Sequence, residues 1–160
     1  MTTSATVPAV RMDDVLDEHG WQNVRFIKLD VEGHEVRAIR GMNRLLSRPD
    51  APLVYFESNK YALKFYDETH ESLKSAFRDL GYKIYKVESN HLIEVPIGAD
   101  QAELCTDYLA AKTIPESLTN QFPLSPPSPP GSSEASIPWV PIRLLRLMRY
   151  LFRRPQKQSA

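Results

Sequence analysis

One hundred and sixty residues suffice for one domain with a real core and are too few for two ordinary ones. Basic and acidic residues balance at 20 each, yet residues 1–136 carry 14 basic against 20 acidic while residues 137–160 carry 6 basic and no acid, so the tail rather than the body suits an anionic surface. Cys105 is the only cysteine, which excludes an intrachain disulfide and a cysteine metal cluster and favours a reducing compartment. The N-terminus lacks the features of a secretory signal and no run of 18 apolar residues occurs, so a cytoplasmic chain that does not span a bilayer is expected.

In chain order, Asp14 is placed to cap a short helix over "VLDEHG" with Gly20 as its stop. "VRFIKLDV" reads as a strand buried on both faces. From Glu35 to Arg48, Val36, Ile39, Met42, Leu45 and Leu46 recur at helical spacing between arginines, predicting one amphipathic helix ended by Pro49. Gly41 interrupts it at a cost of about 1 kcal/mol, which points to close packing against a sheet.

The pattern then repeats. "PLVYFE" predicts a second buried strand, and Thr69 opens a helix on which Leu73, Ala76, Phe77 and Leu80 form one face, stopped by Gly81. "YKIYKVE", "HLIEVPI" and "DYLAAK" predict three further strands. Alternating strands and helices imply crossover connections and a mostly parallel sheet with flanking helices, and the late strands imply a terminal antiparallel hairpin at one edge.

After Ile114 the composition changes. Residues 1–115 are expected to form the domain and 116–136 a disordered Pro/Ser-rich linker. Residues 137–155 are expected to form a basic amphipathic helix, with a disordered tail at 156–160. Arg143, Arg146, Arg149 and Arg153 fall on one narrow face beside Leu144, Leu147 and Phe152. Near Trp139, that composition suits an anionic membrane surface or a docking site on a protein, and it lacks a nucleic-acid-binding fold.

The chemistry concentrates in "FIKLDVEGHE". In an open parallel sheet ligands bind beyond the carboxyl ends of the strands. Asp30 stands at that end of the first strand and Glu57 at that end of the second, with Glu32, His34 and Glu35 on the following turn and helix start and Ser58 and Asn59 on the second rim. Neighbouring strands would aim these carboxylates into one crevice, fit for a general base, for accepting hydrogen bonds from a hydroxylated substrate, or for partnering a cation. By spacing alone, the same residues read more readily as a strand, a glycine turn and an acidic first helical turn favoured by the helix dipole. They match no established metal-ligand spacing. His91 reads as a surface histidine, and "KYALKFYDE" is either an aromatic wall beside the substrate or a packed loop.

"VRMDDVLDEHGWQNVRFIKLDVEGHEVRAIRGMNRLL" followed by "PLVYFESN" resembles the C-terminal half of the FkbM family of S-adenosylmethionine-dependent methyltransferases. The matching pieces are a hydrophobe with Asp13 and Asp14 before a short helix, the strand running into Asp30 through Glu35, a helix with Arg40 and Gly41, and the strand ending in Phe56 and Glu57. The likeness spans about Val7 to Ile114. It implies an α/β, Rossmann-like methyltransferase fold, present here as its C-terminal half only, and O-methylation of a hydroxyl on a sugar, polyketide or similar metabolite. By position it implies catalytic roles for Asp30, Glu32, Glu35 and Glu57 and substrate contacts for His34 and Asn59, with no metal.

The family's cofactor site depends on an earlier strand and a Gly-rich turn, and here no glycine precedes Gly20 and no G-x-G or G-x-x-G occurs. The main S-adenosylmethionine-binding motif is therefore absent from these residues. A truncated or split enzyme is the simplest account, beside a half enzyme that needs a complementing N-terminal half and a remnant retained for binding. The competing functional reading is a non-enzymatic interaction module, held at a membrane surface or a partner by the C-terminal helix.

Overall fold

The computed structural model describes residues 6–21, 23–88, 90–98 and 104–126. The basic helix expected over 137–155, the tail at 156–160 and the greater part of the expected linker lie outside the described residues. Twelve elements follow in order: α1 (Met12–His19), β1 (Phe26–Leu29), α2 (Glu35–Gly41), α3 (Asn43–Ser47), β2 (Leu53–Asn59), α4 (Lys60–Lys64), α5 (His70–Arg78), β3 (Lys83–Val87), β4 (Leu92–Glu94), β5 (Cys105–Ala111), α6 (Glu116–Thr119) and β6 (Leu124–Ser125).

The strands form one six-stranded mixed sheet in the order β1-β2-β5-β3-β4-β6. The parallel character expected from the crossovers is carried by β1, β2 and β3, which all run one way. β1 pairs directly with β2, with Phe26 opposite Leu53 and Leu29 opposite Phe56. β5 breaks that run, because it lies antiparallel between β2 and β3. β4 forms the expected hairpin with β3, and β6 lies parallel to β4 at the edge. A strand of apolar residues such as Leu109, Ala110 and Ala111 can fill both faces at once, which suits it to this interior position.

One sheet face packs against α1, α2, α3 and α5 around Val36, Ile39, Leu46, Phe56, Phe77 and Tyr108. The other carries Leu53, Tyr55, Tyr85 and Leu109 against Leu118 and Phe122. That second layer corrects the expected boundary at residue 116. The chain stays in the fold through α6 and β6, because Leu118 is fully buried, Phe122 nearly so, and the Leu92 amide donates to the Pro123 carbonyl.

Two helix readings are also corrected. The helix expected over Glu35 to Arg48 is split at Met42, whose backbone leaves the helical region (φ −124°, ψ 27°). The cause is Asp13, whose fully buried carboxylate accepts from the Arg44 amide at 2.9 Å and the Leu45 amide at 3.2 Å, supplying from α1 the cap that α3 lacks locally. α1 itself begins at Met12 with Arg11 at the capping position, so Asp14 lies inside the helix and does not cap it. Gly41 faces the Cα of Arg11 at ordinary contact distance (3.7 Å from an added Cβ) rather than packing closely on the sheet. Thr69 does open α5, with a reciprocal capping box to Ser72.

Replacing Asp13 by alanine leaves two amide donors without their partner. Urea unfolding of Asp13→Ala is expected to show a loss of about 2 kcal/mol. Asp13→Asn, which retains an acceptor oxygen, is expected to lose less, and Asp14→Ala, at an exposed position, to change little.

Candidate functional site at the carboxyl ends of β1 and β2

β1 ends at Leu29, and Asp30 to His34 form the turn that enters α2. Glu32 and Gly33 both have positive φ, at 50° and 97°. At Gly33 the left-handed backbone coincides with a close approach: an added Cβ would lie 2.3 Å from the Ala62 carbonyl oxygen and 2.8 Å from the Tyr66 ring. Only glycine permits this backbone to press on α4. The turn is thereby fixed to the element that follows β2.

Glu35 fastens the same turn from beneath. It is 3 % exposed, and its Oε1 accepts from the Val31 amide at 3.2 Å and the Gly33 amide at 3.3 Å. Its Oε2 is buried without a hydrogen-bond partner among the described residues. The geometry gives Glu35 a bracing contact within the turn. His34 is half-buried with its ring against Tyr66, centroids 3.9 Å apart, and the Arg37 guanidinium lies 5.4 Å from the same Tyr66 ring.

On β2, Asn59 caps α4, its Oδ1 accepting from the Tyr61 amide at 3.1 Å and the Ala62 amide at 3.3 Å. Glu57 stands opposite Asp107 and Asn59 opposite Cys105 across the antiparallel pair with β5. Two like charges directly opposite each other on a sheet are unfavourable without a compensating partner. The Cys105 thiol reports on this crowding: burial first, then its hydrogen bond to the Glu57 carboxylate, then the charges of Glu57, Asp107 and Glu32, push it up to about 12.

The candidates thus separate. Glu57 stands opposite Asp107 and in hydrogen-bond contact with Cys105 of β5, and the charge of Glu32 in the turn is also felt at that thiol. Asp30 lies at the exposed end of β1 in an ion pair with Lys28. Glu35, His34 and Asn59 are engaged in the turn, the ring contact and the cap. Asp107 and Cys105 were missed because nothing local marks "LCTDYL" as a neighbour of "FESN"; only the interior placement of β5 puts them there. Ser58 faces the other side, its Oγ 2.6 Å from His70 Nδ1, tying the strand end to the first turn of α5.

A carboxylate accepts hydrogen bonds and takes protons, and Glu57 is half-buried. Among the described residues no group of three His, Cys, Asp or Glu side chains is arranged to hold a metal ion. No described helix is long and apolar enough to cross a membrane.

An α/β sheet with carboxylates gathered beyond the ends of two parallel strands is the arrangement of a small-molecule site in this fold class. A family model described as the methyltransferase FkbM domain matches residues 2–84, more than half of the chain, and the protein belongs to that family. The match contains β1, the Asp30 to Glu35 turn and β2, and ends before β5. No curated protein and no solved structure matches the chain.

Two outcomes test this geometry. Gly33→Ala places a Cβ against backbone at positive φ, and chemical denaturation is expected to show a loss of at least about 2 kcal/mol. Cys105, held neutral at pH 7 to 8, is expected to react with iodoacetamide far more slowly than a free thiol, its rate climbing only as the pH nears 12. Glu57→Gln removes the negative neighbour and is expected to lower that pKa and speed alkylation, as followed by mass spectrometry.

Proposed function

We propose that this chain supplies the acceptor side of an S-adenosylmethionine-dependent O-methyltransferase, corresponding to the C-terminal half of a Rossmann-like methyltransferase fold. Membership of the FkbM family supports the reaction class. The observation that carries the acceptor-side reading is the placement of Glu57 at the carboxyl end of β2, opposite Asp107 and in hydrogen-bond contact with Cys105, with Glu32 on the turn after the parallel neighbour β1. Methyl transfer to a hydroxyl requires that the O–H be oriented and its proton removed, and a carboxylate in hydrogen-bond reach performs both. Glu57 is the base in this reading. Glu32 holds a neighbouring hydroxyl, and Asp30 lies farther out with Lys28.

Gly33 does not fit a cofactor cradle. Gly33, the glycine nearest the strand ends, has its open side filled by the Ala62 carbonyl and the Tyr66 ring, so its backbone faces protein where a cradle would face ligand. The methyl donor is therefore held by a segment outside the described residues, in this chain or another. The basic segment at 137–155 is proposed to hold the protein at an anionic membrane surface or a protein partner, on its arginine spacing.

Isothermal titration with S-adenosylmethionine separates this reading from that of a binding module. The full chain mixed with the N-terminal half of an FkbM-family methyltransferase is expected to bind the cofactor, and Glu57→Gln is expected to retain that binding while transfer to a hydroxylated acceptor falls by about a hundredfold or more. Absence of cofactor binding by the mixture would sink the enzyme reading of this chain.

A further inference from the structure

Among the described residues β1 is an edge strand, paired with β2 on one side and last in the strand order. Along a strand the main-chain groups alternate in direction. The Leu53 amide donates to the Arg25 carbonyl, so Ile27 and Leu29 bond toward β2, while the N–H and C=O groups of Lys28 and Asp30 are directed to the open side. Such an edge accepts another strand unless a proline, a bulge or an unpaired charge blocks it. Residues 26–31 hold no proline, and the register with β2 runs unbroken from Phe26 to Leu29. The one lysine is exposed and already paired, with exposed Asp30 of its own chain.

We propose that β1 joins two copies of this chain, paired antiparallel across a two-fold axis at Leu29. Two identical edges that close on each other about such an axis run antiparallel. Centring the pair on Lys28 would set two lysines opposite each other, centring it on Asp30 two aspartates, and centring it on Ile27 would set Lys28 against Phe26. Centring it on Leu29 sets Lys28 of each copy opposite Asp30 of the other, and these two residues then exchange both main-chain bonds. Ile27 falls opposite Val31, which is 40 % exposed, at a position that needs no bond across the edge. That suits Val31, whose amide already donates to Glu35 Oε1 and whose carbonyl accepts from the His34 amide. The pairing stops at Glu32, where φ turns positive. The order apolar, basic, apolar, acidic, apolar over residues 27–31 is thus complementary to itself read backwards, which selects a second copy over an unrelated strand. The inference requires no methyl transfer and stands apart from the acceptor-side reading above.

Sedimentation velocity on the full chain is expected to show a dimer, and NMR hydrogen exchange is expected to show the Lys28 and Asp30 amides slowing as concentration rises. Lys28→Glu and Asp30→Lys each set like charges opposite each other twice over, and each is expected to raise the dimer dissociation constant about tenfold or more. Both positions are exposed, so these variants are expected to melt as the wild type does by circular dichroism. The two single variants mixed together are complementary, as is the double variant Lys28→Glu/Asp30→Lys, and both arrangements are expected to restore association. A monomeric chain overturns the inference, as does a dimer that the single variants leave intact or that the double variant fails to restore. Protection of these two amides only on mixing with the N-terminal half of an FkbM-family methyltransferase assigns the edge to that half and overturns the inference equally.

Discussion

The candidate site depends on one close approach, the Gly33 backbone pressed onto the Ala62 carbonyl and the Tyr66 ring. Parallel strands are joined only through long crossovers, so the loops at their carboxyl ends have no covalent reason to stay in register. Here the turn after β1 and the helix after β2 are locked by contact instead, one through a glycine with φ of 97° and the other through a helix capped by Asn59. Glu35 holds the turn's amides from below. Both loops are thereby held at the carboxyl ends of their strands, where Glu32 and Glu57 stand.

Glu57 faces Asp107 across two hydrogen-bonded strands, and the neighbouring thiol is held protonated first by burial, then by its hydrogen bond to Glu57 and the charges around it. Packing alone would have placed apolar or oppositely charged pairs at these register positions. The same strands a few residues earlier do so, with Tyr55 opposite Leu109 and Val54 opposite Ala110. The change from apolar pairs to the acidic pair Glu57 and Asp107 along one ladder marks where the sheet stops being core.

Support for the site reaches well beyond it. Asp13 on α1 caps α3 across the chain, and the Arg44 guanidinium bonds Asp17 and the Asp13 carbonyl, so the first helix is anchored to the layer that follows β1. On the far side of β2, the Ser58 to His70 contact fixes the start of α5. The first attachment ties helix to helix within that layer, and the second ties the end of β2 to α5, with Glu57 on the opposite face of the strand from Ser58.

Much of this was legible from local pattern. Buried strands at "VRFIKLDV" and "PLVYFE", the helix opened by Thr69 and the gathering of acids at two strand ends follow from hydrophobic period, capping chemistry and turn glycine, all of which act within a few residues. The family likeness, likewise, rests on the linear order of "MDD", "DVEGHE" and "YFESN". What local pattern could not reach were the choices made by distant partners. The helix over Glu35 to Arg48 breaks because Asp13, some thirty residues earlier, caps its second half. The apparent linker after Pro115 folds back because Leu118 and Phe122 find an open sheet face. β5 slips between β2 and β3, bringing Asp107 and Cys105 to a site that no spacing assigns them. Local sequence determined the elements and the kind of chemistry they carry; the tertiary structure alone decided which side chains meet, since strand order and capping across the chain are settled by burial and hydrogen bonding between segments far apart in sequence.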